Sequence, residues 1–246
     1  MSDAHPAGEC GPLEIRIARK SFARTSGGDL EVLRDIAFTL PRGEVAAFVG
    51  PSGCGKTTML RIIAGLDRDY EGTVMRRFDG AIGMVFQEPR LLPWRTVDDN
   101  VRLVAPGASE AKLAALFDTL ELAPHRWHYP GQLSLGLARR AALARAFAVE
   151  ASLLILDEPF VSLDDALAAR LRGELIKLID RRPVTTLLVT HDVEEAIGLA
   201  DRLFLLSAGP ARILAELPIG RRDAASTAAI RAEVERRRVG SRACGP

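Results

Sequence analysis

The chain has 246 residues, 48% hydrophobic and 26% charged, the composition of one large globular domain or of a domain with a subdomain. Lys and Arg total 33 against 32 Asp and Glu, a net charge of +1, so no bulk field draws it to nucleic acid or anionic lipid. The three scattered cysteines, Cys10, Cys54 and Cys244, argue against a disulfide framework or a structural zinc site; the N-terminus lacks the apolar core of a signal peptide, and no apolar run approaches the ~20 residues of a membrane helix. A reducing cytoplasm is the expected home, with any membrane attachment made through a partner.

Residues 13–17 alternate apolar with charged side chains and 32–40 read as a second strand. Gly27-Gly28-Asp29 between them is a turn signal, which predicts an antiparallel hairpin. Residues 44–49 read as a buried strand; a glycine-rich turn follows, and 56–64 continue as a helix ended near Gly65. Residues 82–86 form a short strand leading into the proline-punctuated loop 87–94. Beyond it the pattern is helical: Leu113, Leu116, Phe117 and Leu120 share one face of a helix capped by Ser109, and 134–149 carries Arg139, Arg140 and Arg145 on an Ala/Leu background. Strands at 153–156 and 185–189 flank a helix over 165–180, the alternation of a parallel sheet. Residues 203–206 and 212–217 are expected as edge strands, and the Arg/Ala-rich stretch 221–242 as a frayed tail. The expected architecture is a single α/β domain over 1–246 with an all-helical insert at about 88–149.

Gly50-Pro51-Ser52-Gly53-Cys54-Gly55-Lys56-Thr57 fits G-x-x-x-x-G-K-[ST] and lies between a predicted strand and a predicted helix. In that setting backbone N–H groups converge on phosphate oxygens, Lys56 reaches the β- and γ-phosphates, and Thr57 can ligate Mg2+. About 100 residues downstream the apolar strand 153–156 ends in Asp157-Glu158. Asp157 is placed to hold Mg2+ and Glu158 to orient or deprotonate an attacking water. His191 follows another strand and can donate to a γ-phosphate oxygen, while Gln87, also at a strand end, offers an amide oxygen to a metal.

Together these motifs resemble the nucleotide-binding subunit of ABC transporters, over about residues 13–217. The resemblance implies a P-loop NTPase (RecA-like) core with an antiparallel β subdomain and an inserted α-helical subdomain, binding ATP and Mg2+. It also implies that Phe22 stacks on adenine, that Thr58 joins the phosphate site, and that Gln87, Ser162-Leu163-Asp164 and His191 are the Q-loop, D-loop and switch histidine. The segment Val85-Phe86-Gln87-Glu88-Pro89-Arg90-Leu91-Leu92-Pro93-Trp94-Arg95 resembles the nitrate, sulfonate and taurine importer branch. That branch implies import of a small oxyanion or sulfonate, a second cassette, a permease whose coupling helix meets Leu91, Leu92 and Trp94, and, indirectly, a periplasmic solute-binding protein. The protein would then sit at the cytoplasmic face of the inner membrane.

The family signature Leu-Ser-Gly-Gly-Gln reads Leu133-Ser134-Leu135-Gly136-Leu137 here. Ser134 and Gly136 are expected to face ATP on the opposite subunit; Leu135 would be strained if its backbone were left-handed, and Leu137 removes a polar group. A soluble ABC-type ATPase and a degenerate regulatory cassette stay open as alternatives on sequence alone.

Overall fold

A computed structural model of the chain describes residues 11–25, 27–161, 163–181, 184–219 and 224–242. The strands β1 (Leu13–Ala23) and β2 (Asp29–Leu40) form the hairpin that the glycine pair predicts: Gly27 and Gly28 adopt φ of 88° and 79°, and the Arg24 N–H closes the turn on the Gly28 carbonyl. After β3 (Val45–Val49) and α1 (Lys56–Ile63), the strand β4 (Glu71–Arg76) returns to pair with β1, completing an antiparallel sheet of order β2-β1-β4.

The chain then alternates through β5 (Ala81–Val85), the helices α2 (Val97–Arg102), α3 (Glu110–Thr119) and α4 (Leu135–Ala148), β6 (Ala151–Asp157), α5 (Asp165–Arg181), β7 (Thr185–Thr190), α6 (Val193–Leu199), β8 (Arg202–Leu206), β9 (Ile213–Pro218) and α7 (Ala224–Arg242). The second sheet has the order β5-β6-β7-β3-β8-β9, with every neighbour parallel except the β8/β9 pair. Residues 203–206 are therefore not an edge strand: β8 runs beside β3 in the interior, and β9 alone covers that side.

Both faces of the parallel strands are buried, so they read as continuous apolar runs. The period of two sorts their side chains into two cores. Phe48, Ile155, Val189 and Phe204 pack toward β1, β2 and α1, where the rings of Phe38, Phe48 and Phe204 stand 4.9 to 5.3 Å apart. Val49, Leu156, Leu188 and Leu205 pack the other way, onto the insert and α5. Each such side chain contributes roughly 1.5–3 kcal/mol.

Within the insert, Thr96 and Asp99 form a reciprocal cap at the start of α2. The buried Asp98 carboxylate accepts from Arg102 at 2.8 Å and Arg126 at 2.7 Å, which ties the 123–129 segment to α2. At the C-terminus the Arg/Ala-rich stretch is helical from 224 to 242: Val234 is fully buried and Ile230 packs beside it on the main core, while Arg231 pairs with Glu194 of α6.

Candidate active site

Residues 50–57 connect β3 to α1 at the C-terminal edge of the parallel sheet, where ligands bind in such folds. Gly55 has φ of 118°, and a Cβ there would lie 2.8 Å from Val32 Cγ1 and 2.9 Å from the Val32 carbonyl oxygen, so only glycine lets β2 approach the loop. The start of α1 has neither a side-chain cap nor an acidic residue in its first turn, which leaves its N–H groups and positive end free for an anion. Lys56 is buried, and its Nζ donates to the carbonyls of Gly50 and Pro51, each at 2.8 Å. Cys54 is buried and its burial pushes the thiol upward against the pull of Lys56, so it acts as a small packing residue of the loop.

Thr57 Oγ1 donates to Asp157 Oδ2 at 2.7 Å, joining the loop to the end of β6. Burial pushes the Asp157 carboxyl above its ordinary value; Thr57 opposes this, Glu158 adds to it, and Lys56 opposes it. Glu158 has φ of 49°, a left-handed conformation that costs a non-glycine residue about 1–2 kcal/mol. Its N–H donates to the Val189 carbonyl of β7 at 2.9 Å, so two strands hold it there. His191 follows β7, with Nδ1 3.5 Å from Glu158 Oε2.

A cleft of about 530 Å³ gathers residues singled out in the sequence: Phe22, Ser52, Gly53, Gly55, Lys56, Thr57, Thr58, Gln87, Glu158 and His191. Gly50, Pro51 and Cys54 lie in the loop itself, and Asp157 reaches the cleft through Thr57. Ser134, Gly136 and Asp164 do not line it. Ser134 caps α4 by accepting from the Leu137 N–H at 3.3 Å, and Asp164 accepts from the Leu167 N–H at 2.9 Å at the start of α5. Ser162 falls outside the described residues. Leu135 opens α4 in right-handed helical conformation, so the strain expected of it does not arise; its side chain is 57% exposed, whereas Leu137 packs partly against the main core.

Two residues that hold the 87–94 loop escaped the sequence reading of that segment. Arg145 of α4 donates to the carbonyls of Arg90 at 2.7 Å and Pro89 at 3.0 Å. Asn100, fully buried, donates to the carbonyls of Leu92, Arg95 and Thr96 and accepts from the Leu92 N–H. Leu91 packs against the core, while Trp94 stands 71% exposed at the loop's end.

Behind His191, Glu195 of α6 is buried; Oε2 accepts from Thr190 Oγ1 at 2.7 Å, and Oε1 has no hydrogen-bond partner. Burial pushes its carboxyl up to about 7 from the usual 4.5; the Thr190 hydrogen bond opposes this, Asp192 adds to it, and Arg172 and His191 oppose it. Below pH 4.5 the group is neutral whether folded or unfolded. As pH rises to about 7 only the unfolded chain releases the proton, so stability falls, by about 3 kcal/mol once the folded state also ionises. Glu195→Gln should therefore gain on the parent by about that much in urea unfolding between pH 4.5 and pH 8; a stability difference constant over this range would show that the carboxylate is already compensated.

The ABC transporter family profile matches residues 33–161. The aliphatic sulfonates import ATP-binding protein SsuB 2 of Burkholderia cenocepacia is 42% identical over 217 residues, which span 84% of this chain and 78% of that protein. The corresponding SsuB of Bacillus licheniformis is 39% identical over 216 residues, covering 84% of each. Among solved structures, the dimeric post-hydrolysis state of the cassette MJ0796 bound to ADP and Pi matches with a TM-score of 0.76 and 28% identity, over 85% of this chain and 99% of that one. On the family match and these relatives, and with residues 50–57, Glu158 and His191 converging on one cleft, the chain belongs to the ABC transporter family, as one of its ATP-binding cassettes.

Proposed function

We propose that this chain is the ATP-hydrolysing subunit of an importer of aliphatic sulfonates, working as one of two cassettes beneath a membrane permease that a periplasmic binding protein supplies. The observation that carries the enzymatic part is the convergence of Lys56, the Thr57–Asp157 pair, Glu158, His191 and Gln87 on one cleft. Phe22 offers a half-exposed ring to the adenine, and the loop N–H groups with Lys56 receive the phosphates. Glu158 orients and deprotonates the attacking water, and His191 steadies the charge that develops on the γ-phosphate.

Among the described residues no three His, Cys, Asp or Glu side chains gather into a metal cluster. The donors beside the loop are instead the Thr57 hydroxyl, the Asp157 carboxylate and the Gln87 amide oxygen, an all-oxygen set that suits Mg2+ completed by phosphates and water. Bound there, Mg2+ would neutralise phosphate charge.

Ser134, Gly136, Asp164 and the exposed Leu135 lie away from the chain's own cleft, which supports a role toward the ATP of a second cassette. Among the described residues no helix is long and apolar enough to cross a membrane. The import role named for the relatives supports attachment through a permease, on its cytoplasmic side, with the exposed Trp94 as anchor. The sulfonate assignment rests on relatives near 40% identity over most of the chain.

Deleting the gene should abolish growth on an alkanesulfonate as sole sulfur source and spare growth on sulfate. The parent gene should restore it and a Glu158→Gln copy should not. Normal growth of the deletion strain on sulfonates, with no second importer present, would sink the substrate assignment.

A further inference from the structure

Lys20 is among the few buried charges of the protein: it is 2% exposed, in a strand whose neighbouring cations are open to solvent. Its Nζ donates to Asp67 Oδ1 at 3.0 Å, to Asp69 Oδ2 at 3.2 Å and to the Asp69 carbonyl at 2.5 Å, on the segment that follows α1. The same ammonium lies 4.6 Å from the centroid of the Phe22 ring. Phe22 is 43% exposed and lines the nucleotide cleft, whereas Lys20 does not line it, so the cation stands on the covered side of the ring. The β1/β2 register shifts between Lys20 and Ser21; bulges of this kind re-aim side chains next to active sites.

We infer that Lys20 is a positioning residue for the nucleotide base: anchored by Asp67 and Asp69, it braces Phe22 from behind and fixes the stacking platform relative to the phosphate-loop helix. The inference rests on the reading of Phe22 as the adenine platform. Two effects combine. A ring backed by a fixed cation has fewer orientations to lose when a base stacks on it. The cation also draws π density toward the covered face, which favours an electron-rich purine on the open face. Neither effect touches the phosphates.

The test compares ATP with inorganic tripolyphosphate, which carries the phosphates without the base. Lys20→Met should raise the Kd for ATP about tenfold, equivalent to about 1.4 kcal/mol, and leave the Kd for tripolyphosphate within about twofold of the parent. In a Phe22→Leu background the same substitution should add nothing, because Lys20 acts through the ring. Equal losses for both ligands would mean that Lys20 serves only the α1 end, and an unchanged ATP affinity would mean that the ring needs no brace; either overturns the inference. Should Lys20→Met fail to fold, Asp67→Asn, which loosens the anchor and keeps the ammonium, is read by the same two ligands with the same outcomes. Lys56→Ala serves as the separate control for the site: it should weaken both ligands, and ATP binding unaffected by it would remove the site reading itself, whatever Lys20 does.

Discussion

Glu158→Gln is expected to lower ATP turnover at least about 100-fold, the usual contribution of a positioned general base, while ATP binding persists. Gln keeps the length and shape of the side chain, and the backbone bond to the Val189 carbonyl does not involve it. The left-handed backbone is as accessible to Gln as to Glu, so folding should be little changed. What disappears is the carboxylate 3.5 Å from His191, the group we propose to take the water's proton. Without hydrolysis to open it, a cassette pair closed on ATP should accumulate and be visible by analytical ultracentrifugation. Steady-state rates and calorimetric ATP affinity measured together decide the matter: turnover at the parental rate would move the base to another residue.

The candidate phosphate site was legible because the chemistry proposed for it demands residue types at fixed spacing. Glycines, Lys56 and Thr57 must sit between strand and helix, and Asp157 must end a strand buried on both faces. Those strands announce themselves as apolar runs, 45–49, 153–156 and 187–189, since neither face meets water. β4 gave no such signal. Its side chains are exposed except for a partly buried Val74, and it is held by backbone pairing to β1, with Gly72 passing so near that a Cβ would fall 2.0 Å from the Arg16 carbonyl oxygen. Nothing local tells β8 that its neighbour is β3, more than 150 residues upstream, so an interior strand reads like an edge.

The misread tail and signature have a shared cause. Ile230 and Val234 make a narrow stripe four residues apart that an Arg/Ala composition hides, and it becomes decisive only when a core lies opposite. A left-handed Leu135 would be strained, but the Ser134 cap places it in the first helical turn, where a leucine side chain is unstrained. Side chains that bond to backbone carbonyls, such as the half-buried Arg145 and the buried Asn100 beneath the 87–94 loop, leave no sequence period at all. Lys20 is of the same kind: one cation in an alternating strand, significant only because Asp67, Asp69 and Phe22 meet around it.

Lys56→Ala should weaken binding where Glu158→Gln weakens turnover, and by an amount the surroundings of Lys56 make large. Lys56 is 6% exposed and the direct hydrogen-bond partners of its ammonium are two neutral carbonyls, so its charge is not already spent on a carboxylate in contact with it. A charge-assisted hydrogen bond to phosphate contributes roughly 1.5–3 kcal/mol, which corresponds to a loss in ATP affinity of about 10- to 100-fold. Stability should change less, because Lys56 itself lines the cleft and water entering in its place can replace the donor lost to the carbonyls of Gly50 and Pro51. Calorimetric titration with Mg-ATP reads the affinity, and thermal unfolding of the same variant without nucleotide reads the stability. Unchanged affinity would remove the reading of this loop as the phosphate site, and would leave Lys56 only to brace the loop it now bridges.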